Sequence, residues 1–134
     1  MPWTLSTGMA SERLQAVLAQ YEPLDFAVLV GSRASGQANA HSDWDIAVRW
    51  AYGLDFWTVL GQTETLRHQL AQALGTMPEK VDLIDLRQAN LAMRATVAQD
   101  GVVLHGEHTL AWIHFLQRTW RELEDWEWEQ RHAA

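Results

Sequence analysis

The chain contains no cysteine, which excludes a disulfide framework and any structural zinc site built on thiolates. It is also short of positive charge: 10 Lys and Arg against 17 Asp and Glu give a formal net charge of −7 at pH 7. A balance of that sign is poor equipment for gripping a nucleic-acid backbone, so no direct nucleic-acid partner is expected. Long hydrophobic runs are missing, and none approaches the ~18 residues that a membrane helix needs. Met1 to Met9 carry neither the basic start nor the apolar stretch of a secretory signal. These absences predict a cytoplasmic protein with no membrane partner.

Core-forming material, by contrast, is ample. Hydrophobic residues make up 48% of the 134 and charged residues 20%, which is the composition of one folded domain spanning 1–134. Eight residues are tryptophan, five of them (Trp57, Trp112, Trp120, Trp126, Trp128) in stretches that read as helical. A small domain does not easily bury them all, so some are expected to face a partner.

Leu14, Val17 and Leu18 place a helix over Ser11–Tyr21, stopped by Pro23. The apolar run within Asp25–Val30 reads as a strand buried on both faces. Arg33–Ser42 is small and polar, hence a loop that can begin with a helical turn. Asp43–Trp50 alternates, with Asp43, Asp45 and Ala47 on one face and Trp44, Ile46 and Val48 on the other. An amphipathic helix follows over Phe56–Leu74, closed by Gly75. Lys80–Leu86 reads as a third strand, Ala89–Ala98 as a helix and Gly101–Leu104 as a short strand. Glu107 to about Gln130 forms a long helix with a stripe of Trp112, Leu116, Trp120, Leu123 and Trp126. The order predicts an α/β (α+β) fold: a small mixed sheet of three or four strands with helices packed on one face.

The chemistry concentrates in the segment from Gly31 to Asp45. A Gly-Ser pair directly after a buried strand offers backbone amides and a hydroxyl in a tight turn, an anion-binding arrangement. Asp43 and Asp45, two apart on a strand, point the same way with Cα atoms roughly 6–7 Å apart. Carboxylates so close repel one another, and a divalent cation relieves that repulsion; oxygen ligands without thiolates suit Mg²⁺ or Mn²⁺. The next strand offers Asp82 and Asp85 on opposite faces. Asp82 is the better third carboxylate, because Asp85 shares its face with Val81 and Leu83 at the strand's end. A phosphate cradle beside three carboxylates describes a nucleotidyl or phosphoryl transfer site.

Gly31-Ser32, ten residues, then Asp43-X-Asp45 leading into an apolar strand resembles the signature of the DNA-polymerase-β-like nucleotidyltransferase superfamily. With the short length, it looks like the minimal nucleotidyltransferase (MNT) domains, the antitoxins of HEPN/MNT toxin–antitoxin pairs. The resemblance spans about residues 10–106, concentrated in 31–45 and 81–86. It implies the nucleotidyltransferase fold, with Gly31 and Ser32 on the β- and γ-phosphates of ATP and Arg33 contacting the triphosphate. It further implies that Asp43 and Asp45 hold two Mg²⁺ ions and Asp82 the catalytic one, beside the attacking hydroxyl. Many members carry a second basic residue where this chain has Ser35, so the loop lacks a full set of phosphate cations. The activity implied is transfer of AMP to a tyrosine of a HEPN-type (HepT-like) ribonuclease toxin, which silences it.

Several readings stay open. Ser32 can cap the turn that follows it. His41, two residues before Asp43, can be an ordinary loop histidine, while His105, His108 and His114 show no ligand-like grouping. The stripe of the last helix can pack on the sheet. Alternatively, its acidic, aromatic end (Glu122, Glu124, Asp125, Trp126, Glu127, Trp128, Glu129) can meet a basic partner. Tyr21 and Tyr52 have no motif around them, so the acceptor is expected outside this chain. Rival functions are nucleotidyl transfer to a small molecule such as an aminoglycoside, and toxin blockade by binding alone.

Overall fold

The computed structural model describes residues 7–133. Residues 1–6, which include Trp3 and most of the segment read for a signal, lie outside the described residues, as does residue 134. The elements run α1 (Thr7–Leu18), β1 (Leu24–Val30), α2 (Ser32–Ser35), β2 (Trp44–Trp50), α3 (Phe56–Leu74), a 3₁₀ turn (Pro78–Lys80), β3 (Val81–Asp85), α4 (Leu91–Asp100), β4 (Val102–His105) and α5 (Leu110–His132). The strands form one mixed sheet in the order β3-β2-β1-β4. β1 pairs antiparallel with both neighbours, and β2 pairs parallel with β3 across the α3 crossover.

Local chemistry sets these boundaries. The Asp55 carboxylate accepts from the Thr58 amide at 2.7 Å and caps α3, which ends at Gly75 in the left-handed conformation. The Asn90 side chain accepts from Met93 N and starts α4 at Leu91, later than the expected Ala89. Thr109 caps α5, so Glu107–Thr109 form its entry rather than its first turn.

Alternation along β1 and β2 sends side chains to opposite faces. Ala27, Leu29, Ile46, Val48 and Trp50 pack with Leu14, Leu18, Leu66 and Leu70 of α1 and α3. Phe26, Val28, Val30 and Ala47 pack with Val97 of α4 and with Trp112 and Phe115 of α5. The expectation of helices on one face is therefore corrected: helices cover both. The physical reason was in β1 itself, because a strand apolar on both faces needs cover on both. Full burial of side chains such as Leu66 and Leu70 stabilises the fold by roughly 1.5–3 kcal/mol each.

α5 behaves as two halves. Trp112 and Phe115 meet Phe26 with ring centroids 5.0 and 5.3 Å apart, and Thr119 is buried below them. Beyond Leu123 every described residue is exposed. The stripe thus packs on the sheet only near its start, and Trp120, Trp126 and Trp128 face outward with Trp57 of α3. Among the described residues, no helix is long and apolar enough to cross a membrane.

Candidate active site

The end of β1, the start of β2 and the start of β3 meet at one edge of the sheet. Val30 is opposite Asp45 in the antiparallel pair, and Asp45 is opposite Asp82 in the parallel one. Register partners share a face, so Asp45 and Asp82 project together on the side that α4 and α5 cover further along. Gly31 leaves β1 directly beside them. Its φ is +74°, and a Cβ there would stand 2.6 Å from Asp45 Oδ2. The backbone conformation therefore requires glycine, and a Cβ there would push the Asp45 carboxylate aside.

Gly31, not Ser32, occupies the cap position of α2, and its carbonyl accepts from Ala34 N and Ser35 N. Ser32 is the first residue of that turn and half-buried, beside the carboxylate edge. The loop that follows is tied down. Arg33 Nη2 donates to the Ser42 carbonyl at 2.9 Å, and its guanidinium lies 4.3 Å over the Trp44 ring. Asn39 N donates to Ser42 Oγ and His41 N to Asn39 Oδ1. Trp44 belongs to the opposite face of β2 from Asp45, so Arg33 braces the loop from behind the carboxylates. The His41 side chain is exposed, and only its main chain is engaged in these contacts.

Electrostatics distinguish Asp45 from its neighbours. Burial, then the charges of Asp82 and Asp43, push its carboxyl above the usual carboxylate range. Asp43 is exposed and sits 3.8 Å from Lys80 Nζ, which also donates to the His41 carbonyl at 3.3 Å. Among the described residues, no three His, Cys, Asp or Glu side chains are gathered closely enough to hold a metal ion as they stand. The donor chemistry nonetheless fits a hard cation: three carboxylates, with the charges of Asp82 and Asp43 adding to the burial that raises the Asp45 carboxyl. Asp85 stands apart, accepting from Arg87 N and closing the turn after β3.

Lys80 is the residue that the sequence reading missed. Trp44 pairs with Val81, which sets Lys80 level with Asp43, as Asp82 is level with Asp45. Once Asp82 is assigned by alternation, the same register places a cation two residues earlier. It stands in the 3₁₀ turn that leads into β3 and brings a positive charge to the carboxylate edge.

A family profile described as polymerase beta, nucleotidyltransferase matches residues 12–109. Among curated proteins, the protein adenylyltransferase MntA of Aphanizomenon flos-aquae (strain 2012/KM1/D3) is 32% identical over 107 residues, covering 76% of this chain and 70% of that protein. A solved toxin–antitoxin complex with AMP-PNP superposes with a TM-score of 0.69 at 28% identity, over 90% of this chain and 92% of the matched one. A tri-AMPylated Shewanella oneidensis HEPN toxin in complex with MNT antitoxin gives 0.65 at 25% identity, over 94% of this chain and 93% of the matched one. The chain belongs to the polymerase-beta nucleotidyltransferase family, and it is an enzyme of that family's fold and class.

Proposed function

We propose that this chain is the antitoxin of a toxin–antitoxin pair and neutralises a HEPN-type ribonuclease by transferring AMP from ATP to one of its tyrosines. The observation that carries this reading is the Gly31–Asp45–Asp82 edge, seen alongside relatives described as a protein adenylyltransferase and as an MNT antitoxin bound to an AMPylated HEPN toxin. The nucleotide-bound relative supports ATP as the donor. Residues 1–134 act as one catalytic unit, and the pair works in the cytoplasm, where ATP is at hand.

In this mechanism Gly31 and Ser32 hold the β- and γ-phosphates at the turn, and Arg33 serves nucleotide binding by fixing the loop that presents them. Lys80 adds positive charge beside the triphosphate. Asp43, Asp45 and Asp82 would hold two Mg²⁺ ions, with Mn²⁺ able to substitute. Those ions would supply neutralisation of the triphosphate and a lowered pKa for the attacking hydroxyl. For its part, Asp43 is exposed, and its contact with Lys80 Nζ is a loose 3.8 Å. Asp82 is the candidate base that accepts the tyrosine proton. The tyrosine oxygen forms a bond to the α-phosphorus as the bond to pyrophosphate breaks, and pyrophosphate leaves with the electron pair.

Incubating the purified chain with ATP, Mg²⁺ and either the partner toxin or an aminoglycoside tests the reading. The expected result is release of pyrophosphate matched by AMP on a toxin tyrosine. Pyrophosphate release with AMP on an aminoglycoside instead would replace the protein acceptor by a small molecule.

A further inference from the structure

We propose that a second site, at the opposite end of β2, binds a phosphate-bearing small molecule. A cavity of about 500 Å³ opens there, lined in part by Arg49 of β2, Arg87 after β3, Arg94 of α4 and Arg118 of α5. That volume falls within the range of small-molecule sites. Four of the chain's ten Lys and Arg residues converge on it in a protein of net charge −7, and Asp25 is the one acid in the lining.

The fold neutralises this charge only in part. Glu122 is shared, accepting from Arg94 at 2.5 Å and from Arg118 at 3.3 Å. Asp85 Oδ1 lies 3.7 Å from Arg87 Nε but is already engaged by Arg87 N at 2.9 Å. Among the described residues, Arg49 forms no ion pair with a carboxylate. Its guanidinium lies 4.3 Å over the Tyr52 ring, and its Nε is buried without a hydrogen-bond partner. A buried donor left unpaired is costly, and a phosphate oxygen satisfies it with a charge-assisted bond. Tyr52, 72% exposed, and His114 offer flat faces at the same cavity for a planar base. Phosphate is the shared chemistry; a free nucleotide and free pyrophosphate are its two sources. Adenylyl transfer is not needed for this site, so either reading can fail without the other.

The test follows the side-chain Nε–Hε resonances of the full-length chain labelled with ¹⁵N-arginine, in chelator and without divalent cations. One arm receives AMP and the other sodium pyrophosphate. Saturable shifts of Arg49 and Arg87 are expected, with Arg49→Gln weakening the apparent affinity about tenfold. Arg87→Gln provides the same comparison if Arg49→Gln does not fold. Tighter binding of AMP assigns a nucleotide, and tighter binding of pyrophosphate assigns the free anion. No saturable shift with either probe, or shifts confined to Arg33 at the catalytic loop, would overturn the proposal.

Discussion

One face of β2 carries charge at both ends and alanine between them. At its start, Asp45 meets Asp82 and Asp43, with Lys80 as the nearby cation; at its end, Arg49 meets Arg87 and the arginines of two helices. Ala47, fully buried between them, separates the two ends. The ends treat like charge differently. The basic end is partly neutralised from within, by Glu122 and Asp85. At the acidic end, burial and then the charges of Asp82 and Asp43 raise the Asp45 carboxyl above its ordinary value, and the single lysine engages Asp43. Charge that a fold leaves uncompensated is charge that a ligand completes, and by that measure the acidic end is the more demanding site.

The sharpest way to break the comparison is at Gly31. Gly31→Ala forces a Cβ against Asp45 Oδ2 at a positive φ. It should cut adenylyl transfer by about a hundredfold through misplacement of the phosphate turn. It should also destabilise the fold by about 1–2 kcal/mol. Initial rates and urea midpoints measure the two effects, and a variant with unchanged rate would remove the turn from the site.

A smaller effect is expected at Lys80. Lys80→Gln should raise the KM for ATP by about three- to tenfold with the fold intact, a loss in the range of one charged contact. An unchanged KM would leave Lys80 as a loop tie to the His41 carbonyl and nothing more.

Smaller still is the stability effect of Asp45. Its carboxyl is raised in the folded protein, so its favourable contribution is present below the unfolded carboxylate pKa and is lost as pH rises through the folded value. Asp45→Asn should therefore raise Tm slightly at pH 7, and the gain should fade as pH falls through the carboxylate range. Mg²⁺ should raise the Tm of the unsubstituted protein at pH 7 and leave that of Asp45→Asn nearly unmoved. A Tm difference independent of pH would contradict the repulsion.

At the other end, Arg49→Gln should leave the rate of AMP transfer within about twofold, because roughly 13 Å of strand separates Arg49 from Asp45. A large loss of rate would merge the two ends into one site.

The two ends also differ in how far they were legible. Gly31, Ser32, Asp43 and Asp45 lie within fifteen residues of chain, so spacing alone brings them together. Asp82 needed only strand alternation, and Lys80 needed the parallel register as well. The arginines of the cavity come from four separate segments, and no spacing relates residue 49 to 87, 94 or 118 before the helices are packed. That packing was also where the reading of the fold erred. β1 was recognised as apolar on both faces, yet helices were expected on one. Periodicity likewise gave α5 a stripe to Trp126 but could not show that its burial stops near Leu123.

The most direct measurement is the intact mass of the partner toxin after co-expression with this chain and, in parallel, with its Asp43→Asn/Asp45→Asn form. The account predicts a gain of one or more AMP residues with the unsubstituted chain, none with the double variant, and active ribonuclease in the second case. A toxin of unchanged mass that both forms silence equally would contradict it and make the chain a blocking subunit.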